Sequence, residues 1–190
     1  MPKERLYLFD TTLRDGAQTA GVEFSLEDKI SITALLEELG LDYVEGGYPG
    51  ANPVDTEFFE EKRTRHATFT AFGMTRRAGR SVGNDPGVQG IINSRADAAC
   101  FVGKSWDRQV DIALGIPLEE NLRSLRETIA ASVAAGKETL VDCEHFFDGF
   151  KSNPDYALDF VRTALAAGAR WIVLCDTNGG TMPSEVEEIV

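Results

Sequence analysis

The residues most able to do chemistry lie in Asp10–Gln18, which reads DTTLRDGAQ. A short apolar run, Leu6–Phe9, precedes it and has the look of a buried strand; Ser25–Leu39 follows with the look of a helix. Arg14, Asp15 and Gly16 in a strand-to-helix turn put a cation and a carboxylate at the carboxyl end of a strand, where ligands sit in α/β folds. A carboxylate there can ligate a divalent cation, and a guanidinium can stabilise a developing oxyanion. The same two side chains can also pair as a turn salt bridge, with Gly16 present for its backbone freedom.

Other candidates end later strands. Glu144, in Asp142-Cys143-Glu144-His145, could hydrogen-bond a substrate or relay a proton, or pair with Lys151. Alternation along an extended segment turns the adjacent His145 away from Glu144's side. His66 precedes the third strand at its amino end and reads as structural. Thr177, after Asp176 and before Asn178-Gly179-Gly180, offers a hydroxyl for a ligand or a cap for the next helix. Asp10 and Asp176 end their strands alike and could support neighbouring side chains or satisfy backbone amides. Cys143 and Cys175 have no adjacent activating group and read as buried thiols.

The elements that must position these residues repeat as strand, loop, helix. Strands are expected at Leu6–Asp10, Tyr43–Gly46, Thr68–Phe72, Ala98–Gly103, Thr139–Asp142 and Trp171–Cys175, mostly continuous apolar runs suited to parallel strands. Ser25 with Asp28 resembles a capping box, and Gly40 a helix terminus. A second helix is expected from Leu118 to Ala135, with Leu118, Leu122, Leu125, Ile129 and Val133 on its apolar face, and a third from Pro154 to Ala167. The exits ELGLDYVEGG, AAGKETLVDCE and AAGARWIVLCDT read alike, a weak repetition of one βα unit. The expected fold is α/β, an incomplete (β/α)₈ TIM barrel with about six βα units. Residues 1–190 would form a partial catalytic barrel domain lacking the last two βα units and any carboxyl-terminal regulatory domain. The alternative is a complete open sheet of parallel strands.

Composition narrows the partners. The chain has 190 residues, 43% hydrophobic and 26% charged, as in an ordinary globular domain. A net charge of −12 argues against nucleic acid, which needs clustered cations. No apolar run suggests a membrane span and no signal pattern is present, so a cytoplasmic location is expected. Three scattered cysteines make a poor disulfide framework, and two histidines cannot build a site of several imidazoles.

Leu13-Arg14-Asp15-Gly16-Ala17-Gln18, then ten residues, then Lys29, resembles the first signature of the 2-isopropylmalate, homocitrate and citramalate synthase family, metal-dependent synthases of a (β/α)₈ superfamily that also holds lyases. The blocks EGGYPGANPVDTEFF from Glu45, DCEHFFDGFKSNPDYAL from Asp142 and LCDTNGGTMP from Leu174 resemble the citramalate branch. The resemblance implies an acyltransferase that condenses acetyl-CoA with a 2-oxo acid, pyruvate above all, and hydrolyses the thioester, in branched-chain (isoleucine and leucine) amino-acid biosynthesis. A larger oxo acid, as in 2-isopropylmalate or homocitrate synthase, is the alternative, and so is a catalytically incompetent barrel fragment. Asp15 is implied as the metal ligand and Arg14 as the group that contacts the oxo-acid oxygen and steadies charge. Glu144 is implied to face the pocket, and Thr177 to donate to the substrate carboxylate. Magnesium, manganese and zinc all suit such a site. The family also has a His-x-His pair beyond the sixth strand, which these residues lack. The resemblance further implies a homodimer with small-molecule substrates as its partners. Arg76, Arg77 and Arg80 could then meet the phosphates of coenzyme A, although a solvated loop is the preferred reading.

Overall fold

The computed structural model describes residues 5–190. Six parallel strands form one sheet in sequential order: β1 (Phe9–Asp10), β2 (Tyr43–Gly47), β3 (Thr68–Met74), β4 (Ala98–Lys104), β5 (Glu138–Glu144) and β6 (Trp171–Leu174). Between them run α1 (Leu26–Glu38), α2 (Pro53–Phe58), α3 (Pro86–Asn93), α4 (Asp107–Gln109, continuing as a π-helical turn to Leu114), α5 (Leu118–Ala134), α6 (Phe146–Ser152) and α7 (Pro154–Ala166). A last helix, α8 (Pro183–Ile189), follows β6. A doubly wound sheet reverses its strand order at a switch point. This one never does, which selects the incomplete barrel over the open-sheet alternative.

Strand alternation divides the sheet into two faces. Val44, Phe69, Ala71, Ala99 and Phe101 pack with Phe58, Val88 and Ile91 of the helices. Val141, Cys143, Ile172 and Leu174 do the same with Leu125, Ile129, Ala157 and Phe160. The alternate residues Tyr43, Ala98, Cys100, Leu140 and Trp171 form a smaller cluster on the inner face, joined by Tyr7 and Phe9. At the amino ends this cluster makes an aromatic floor. The Tyr7 and Trp171 ring centroids lie 5.1 Å apart, and Trp171 Nε1 donates to Tyr43 Oη at 2.9 Å.

Local signals explain most boundaries. Ser25 Oγ accepts from Asp28 N at 3.1 Å while Asp28 Oδ2 accepts from Ser25 N at 3.0 Å, completing the capping box. The three alike helix exits all turn on a left-handed glycine, Gly40 (φ +78°), Gly136 (φ +81°) and Gly168 (φ +104°). β1 is shorter than expected because it is an edge strand with β2 as its one neighbour, and Leu6 is 81% exposed. The short helices α2, α3 and α6 escape the apolar pattern; α2 and α3 are set by Pro at their first positions and by the Asn52 and Asp85 caps.

The expected apolar face of α5 is correct only at its centre. Leu125 and Ile129 are buried, but Leu118 and Val133 are exposed. Asn121, Ser124, Thr128 and Ser132 take the buried stripe instead. Three of the four are engaged there: Thr128 Oγ1 accepts from Arg76 N at 2.9 Å, Asn121 Nδ2 donates to Lys104 O at 2.9 Å, and Ser132 Oγ accepts from Thr139 Oγ1 at 2.9 Å.

Candidate active site

The strand carboxyl ends gather around Arg14. After β1 the chain coils about one carbonyl: Thr11 O accepts from the N–H groups of Arg14 (3.1 Å), Asp15 (2.8 Å) and Gly16 (3.2 Å). Leu13, 1% exposed, anchors this turn in the core. Arg14 Nε donates to Glu45 Oε2 at 2.8 Å, and its terminal nitrogens lie 3.0 Å from Asp15 Oδ1 and 3.9 Å from Asp142 Oδ2. The guanidinium carbon stands 4.0 Å from the centroid of the Phe72 ring. Cys100 Sγ donates to Asp142 Oδ1 at 3.3 Å. Thus the expected Arg14–Asp15 pair forms, but as part of a cluster of one cation and three carboxylates.

The charges in this cluster are mutually dependent. Burial works against the Arg14 cation, yet Glu45, Asp15 and Asp142 outweigh it and hold its pKa above the ordinary value. Burial pushes the Glu45 carboxyl up to about 7 against the pull of Arg14. Its second oxygen, Oε1, is buried with no hydrogen-bond partner in the structure. Burial also raises Asp142, opposed by the Cys100 thiol and by Arg14.

Glu45 and Asp142 escaped the sequence reading as site residues. The available signal was a carboxylate at an inner-face position of an otherwise buried strand: all of β2 is buried, and Glu45 is 0% exposed.

Glu144 stands opposite Lys104 in the β4–β5 register and pairs with it, rather than with Lys151, whose partner is Glu185 at 3.4 Å. A cavity of about 720 Å³ opens at these strand ends, lined by Met74, Val102, Lys104 and Glu144 and by Arg77 and Arg80 from the loop after β3. Arg76 corrects the solvated-loop reading of that cluster. It is 4% exposed and pairs with Glu120 (2.9 Å) and Glu127 at the cavity wall, while Arg77 and Arg80 are exposed.

Thr177 does not cap α8, which begins six residues later; its Oγ1 accepts from His145 N at 2.8 Å. That leaves its hydroxyl proton to donate elsewhere. His145 is turned by a left-handed backbone (φ 59°) rather than by strand alternation, and its ring lies against Trp106, with centroids 6.0 Å apart. Asp10 accepts from Thr12 N and Oγ1 (2.9 and 3.0 Å), and Asp176 from Thr181 N and Oγ1 (3.0 and 2.9 Å), so both satisfy their own turns. The His66 amide donates to Glu37 Oε1 at 2.7 Å, a structural contact as expected. Burial raises the Cys143 thiol far above its ordinary range and the Cys175 thiol to about 12, which removes both as nucleophiles.

Among the described residues, no group of three or more His, Cys, Asp or Glu side chains is placed to hold a metal ion. Asp15 contributes one exposed carboxylate, already paired with Arg14. A divalent cation needs more ligands than that, so the described residues do not fit a complete metal site.

The family model described as HMGL-like matches residues 5–190. The chain belongs to the HMGL-like family. Within reach of this HMGL-like chain are an (R)-citramalate synthase of Aquifex aeolicus, 50% identical over 98% of the chain, and one of Streptomyces coelicolor, 47% identical over 98%. In both cases the chain spans 36% of the relative's length. The fold of the HMGL-like chain matches that of the HMG-CoA lyase of Bacillus subtilis with a TM-score of 0.77 at 19% identity, covering 98% of this chain and 63% of the lyase. No helix among the described residues is long and apolar enough to cross a membrane.

Proposed function

We propose that this chain is the amino-terminal part of the catalytic barrel of a citramalate synthase-like acyltransferase. The observation that carries the proposal is the Arg14 guanidinium, fixed by Glu45 at 2.8 Å among the strand ends with the Asp15 carboxylate beside it. The likeness to (R)-citramalate synthases over 98% of the chain supports the choice of reaction.

In that reaction the methyl carbon of acetyl-CoA gives up a proton and bonds to the ketone carbon of pyruvate. The ketone oxygen takes the electron pair and then a proton, and water cleaves the thioester to release the CoA thiol. Arg14 suits the oxygen that becomes negative, because its N–H groups are held in place before charge develops. The free hydroxyl proton of Thr177 suits the substrate carboxylate. Glu144 and Lys104 border the cavity on the acetyl side, with the exposed Arg77 and Arg80 suited to CoA phosphates. Asp15 would supply a ligand to a magnesium, manganese or zinc ion, which would act as a Lewis acid. The described residues form no complete metal site, so the 190 residues alone should be catalytically inactive. The whole protein is a homodimer acting on small molecules in branched-chain amino-acid biosynthesis.

Thiol release by the longer protein, compared across pyruvate, 2-oxoisovalerate and 2-oxoglutarate, tests the substrate. Preference for either larger acid would replace pyruvate. Asp15→Ala should abolish metal binding and turnover while changing stability by no more than about 0.5 kcal/mol, because the side chain is 61% exposed. Retained turnover would refute the assignment.

A further inference from the structure

We infer that Lys29 is a positioning residue for Arg14, a buried clamp that fixes the Arg14–Glu45 pair; its effect on catalysis rests on the function proposed above. Lys29 lies on α1 and is 4% exposed. Its ammonium donates to Leu13 O at 3.1 Å, to Gly46 O at 2.8 Å and to Asp55 Oδ1. Those bonds use all three of its protons. Leu13 immediately precedes Arg14, and Gly46 immediately follows Glu45. One cation therefore grips the backbone on either side of the pair.

The sheet leaves this place open for it. β1 and β2 share only two register pairs, Phe9 with Tyr43 and Asp10 with Val44. Beyond Asp10 the ladder stops, so Arg14 and Glu45 are not aligned by strand pairing. On the other side of β2 the register slips between Glu45 and Gly47, which leaves Gly46 out of the pairing with β3. The ammonium takes over the bridging that a ladder would have supplied.

Asp55 secures the clamp in turn. It is 8% exposed, so it is the buried counter-charge of Lys29. Its other oxygen accepts from Tyr48 N at 2.8 Å, and its own amide donates to Asn52 Oδ1 at 2.7 Å. Gly47 lets the carboxylate in: its φ is +141°, and a Cβ there would stand 2.6 Å from the Asp55 carboxylate. The network meets the site at Leu13 and Gly46, which flank the Arg14–Glu45 pair, and at Tyr48, whose ring packs against the Phe72 ring that lies under Arg14.

The test is the exchange of the Arg14 Nε–H proton, followed by nuclear magnetic resonance in the 190-residue chain. The resonance is assigned by its loss in Arg14→Lys. In the parent it should be a single protected signal, because Nε donates to a fully buried carboxylate. Lys29→Met should speed its exchange by about tenfold or more, the loss of one net hydrogen bond, with the far-ultraviolet dichroism unchanged. Asp55→Asn keeps the ammonium and weakens its anchor; it should give a smaller acceleration, and it serves as the decisive variant should Lys29→Met fail to fold. An Arg14 signal as protected as in the parent, in folded Lys29→Met or otherwise in Asp55→Asn, would overturn the clamp. If the longer protein turns over no 2-oxo acid, the proposed reaction fails while the Arg14 resonance still reports on the clamp.

Discussion

Replacing Glu45 by Gln tests the electrostatic reading of the site through stability. Gln is the uncharged isostere of the protonated carboxyl, so the two proteins should be nearly equally stable where Glu45 is protonated. Burial raises the carboxyl from 4.5 in the unfolded chain to about 7 in the folded one. The sign follows from linkage: between those values the folded state holds a proton that the unfolded state has lost, so stability falls as pH rises through the window. Fully developed, the penalty is about 3 kcal/mol, from about 1.4 kcal/mol per unit. From about pH 5.5 to about pH 8, on the neutral side of the range where the net charge of −12 is lost, about 2 kcal/mol of it develops. Asp142 is raised in the same direction, but it is present in both proteins and largely cancels in the difference. The assay is urea unfolding of both proteins at stepped pH, followed by far-ultraviolet dichroism. The Gln variant should gain on the parent as pH rises; a difference flat to within about 0.5 kcal/mol would refute a buried carboxyl titrating near neutrality.

Arg76→Met should cost about 1–2 kcal/mol in urea unfolding, from the charged hydrogen bonds of a buried guanidinium, since Glu120 keeps Arg123 as a partner and the half-exposed Glu127 can be rescued by water; a loss below about 0.5 kcal/mol would mean that the pair is effectively solvated. Gly47→Ala should destabilise by about 2 kcal/mol or more, from its left-handed backbone and the collision with Asp55, and should speed exchange of the Tyr48 amide that Asp55 accepts. An Ala variant as stable as the parent would show that the carboxylate can move aside.

The order of elements was legible because each strand is a short apolar run closed by a polar residue and each long helix ends in glycine. The placement of Arg14, Asp15, Glu144 and Thr177 at or just beyond strand ends was legible for a related reason, since polar side chains there interrupt an apolar pattern. Glu45 was hidden because it sits within a strand between Val44 and two glycines, where the pattern shows a polar residue but not the guanidinium that it meets 31 residues away in sequence. The partners of Arg76 and Glu144 were hidden likewise: Glu120 and Lys104 are 44 and 40 residues distant, Glu120 brought to Arg76 by α5 and Lys104 to Glu144 by the β4–β5 register. On α5, amphipathic spacing named apolar residues for the buried face, whereas small polar residues filled much of it, two of them, Asn121 and Thr128, bonding backbone groups near the ends of β4 and β3.

The aromatic floor bears on how such a sheet is assembled. Tyr7 precedes one edge strand and Trp171 lies on the other, yet their rings touch and both reach Tyr43. Edges that meet through side chains on the concave side already carry the bend of a ring. The curvature is therefore written into six strands, and a further strand at either edge would dock onto a template that is already bent.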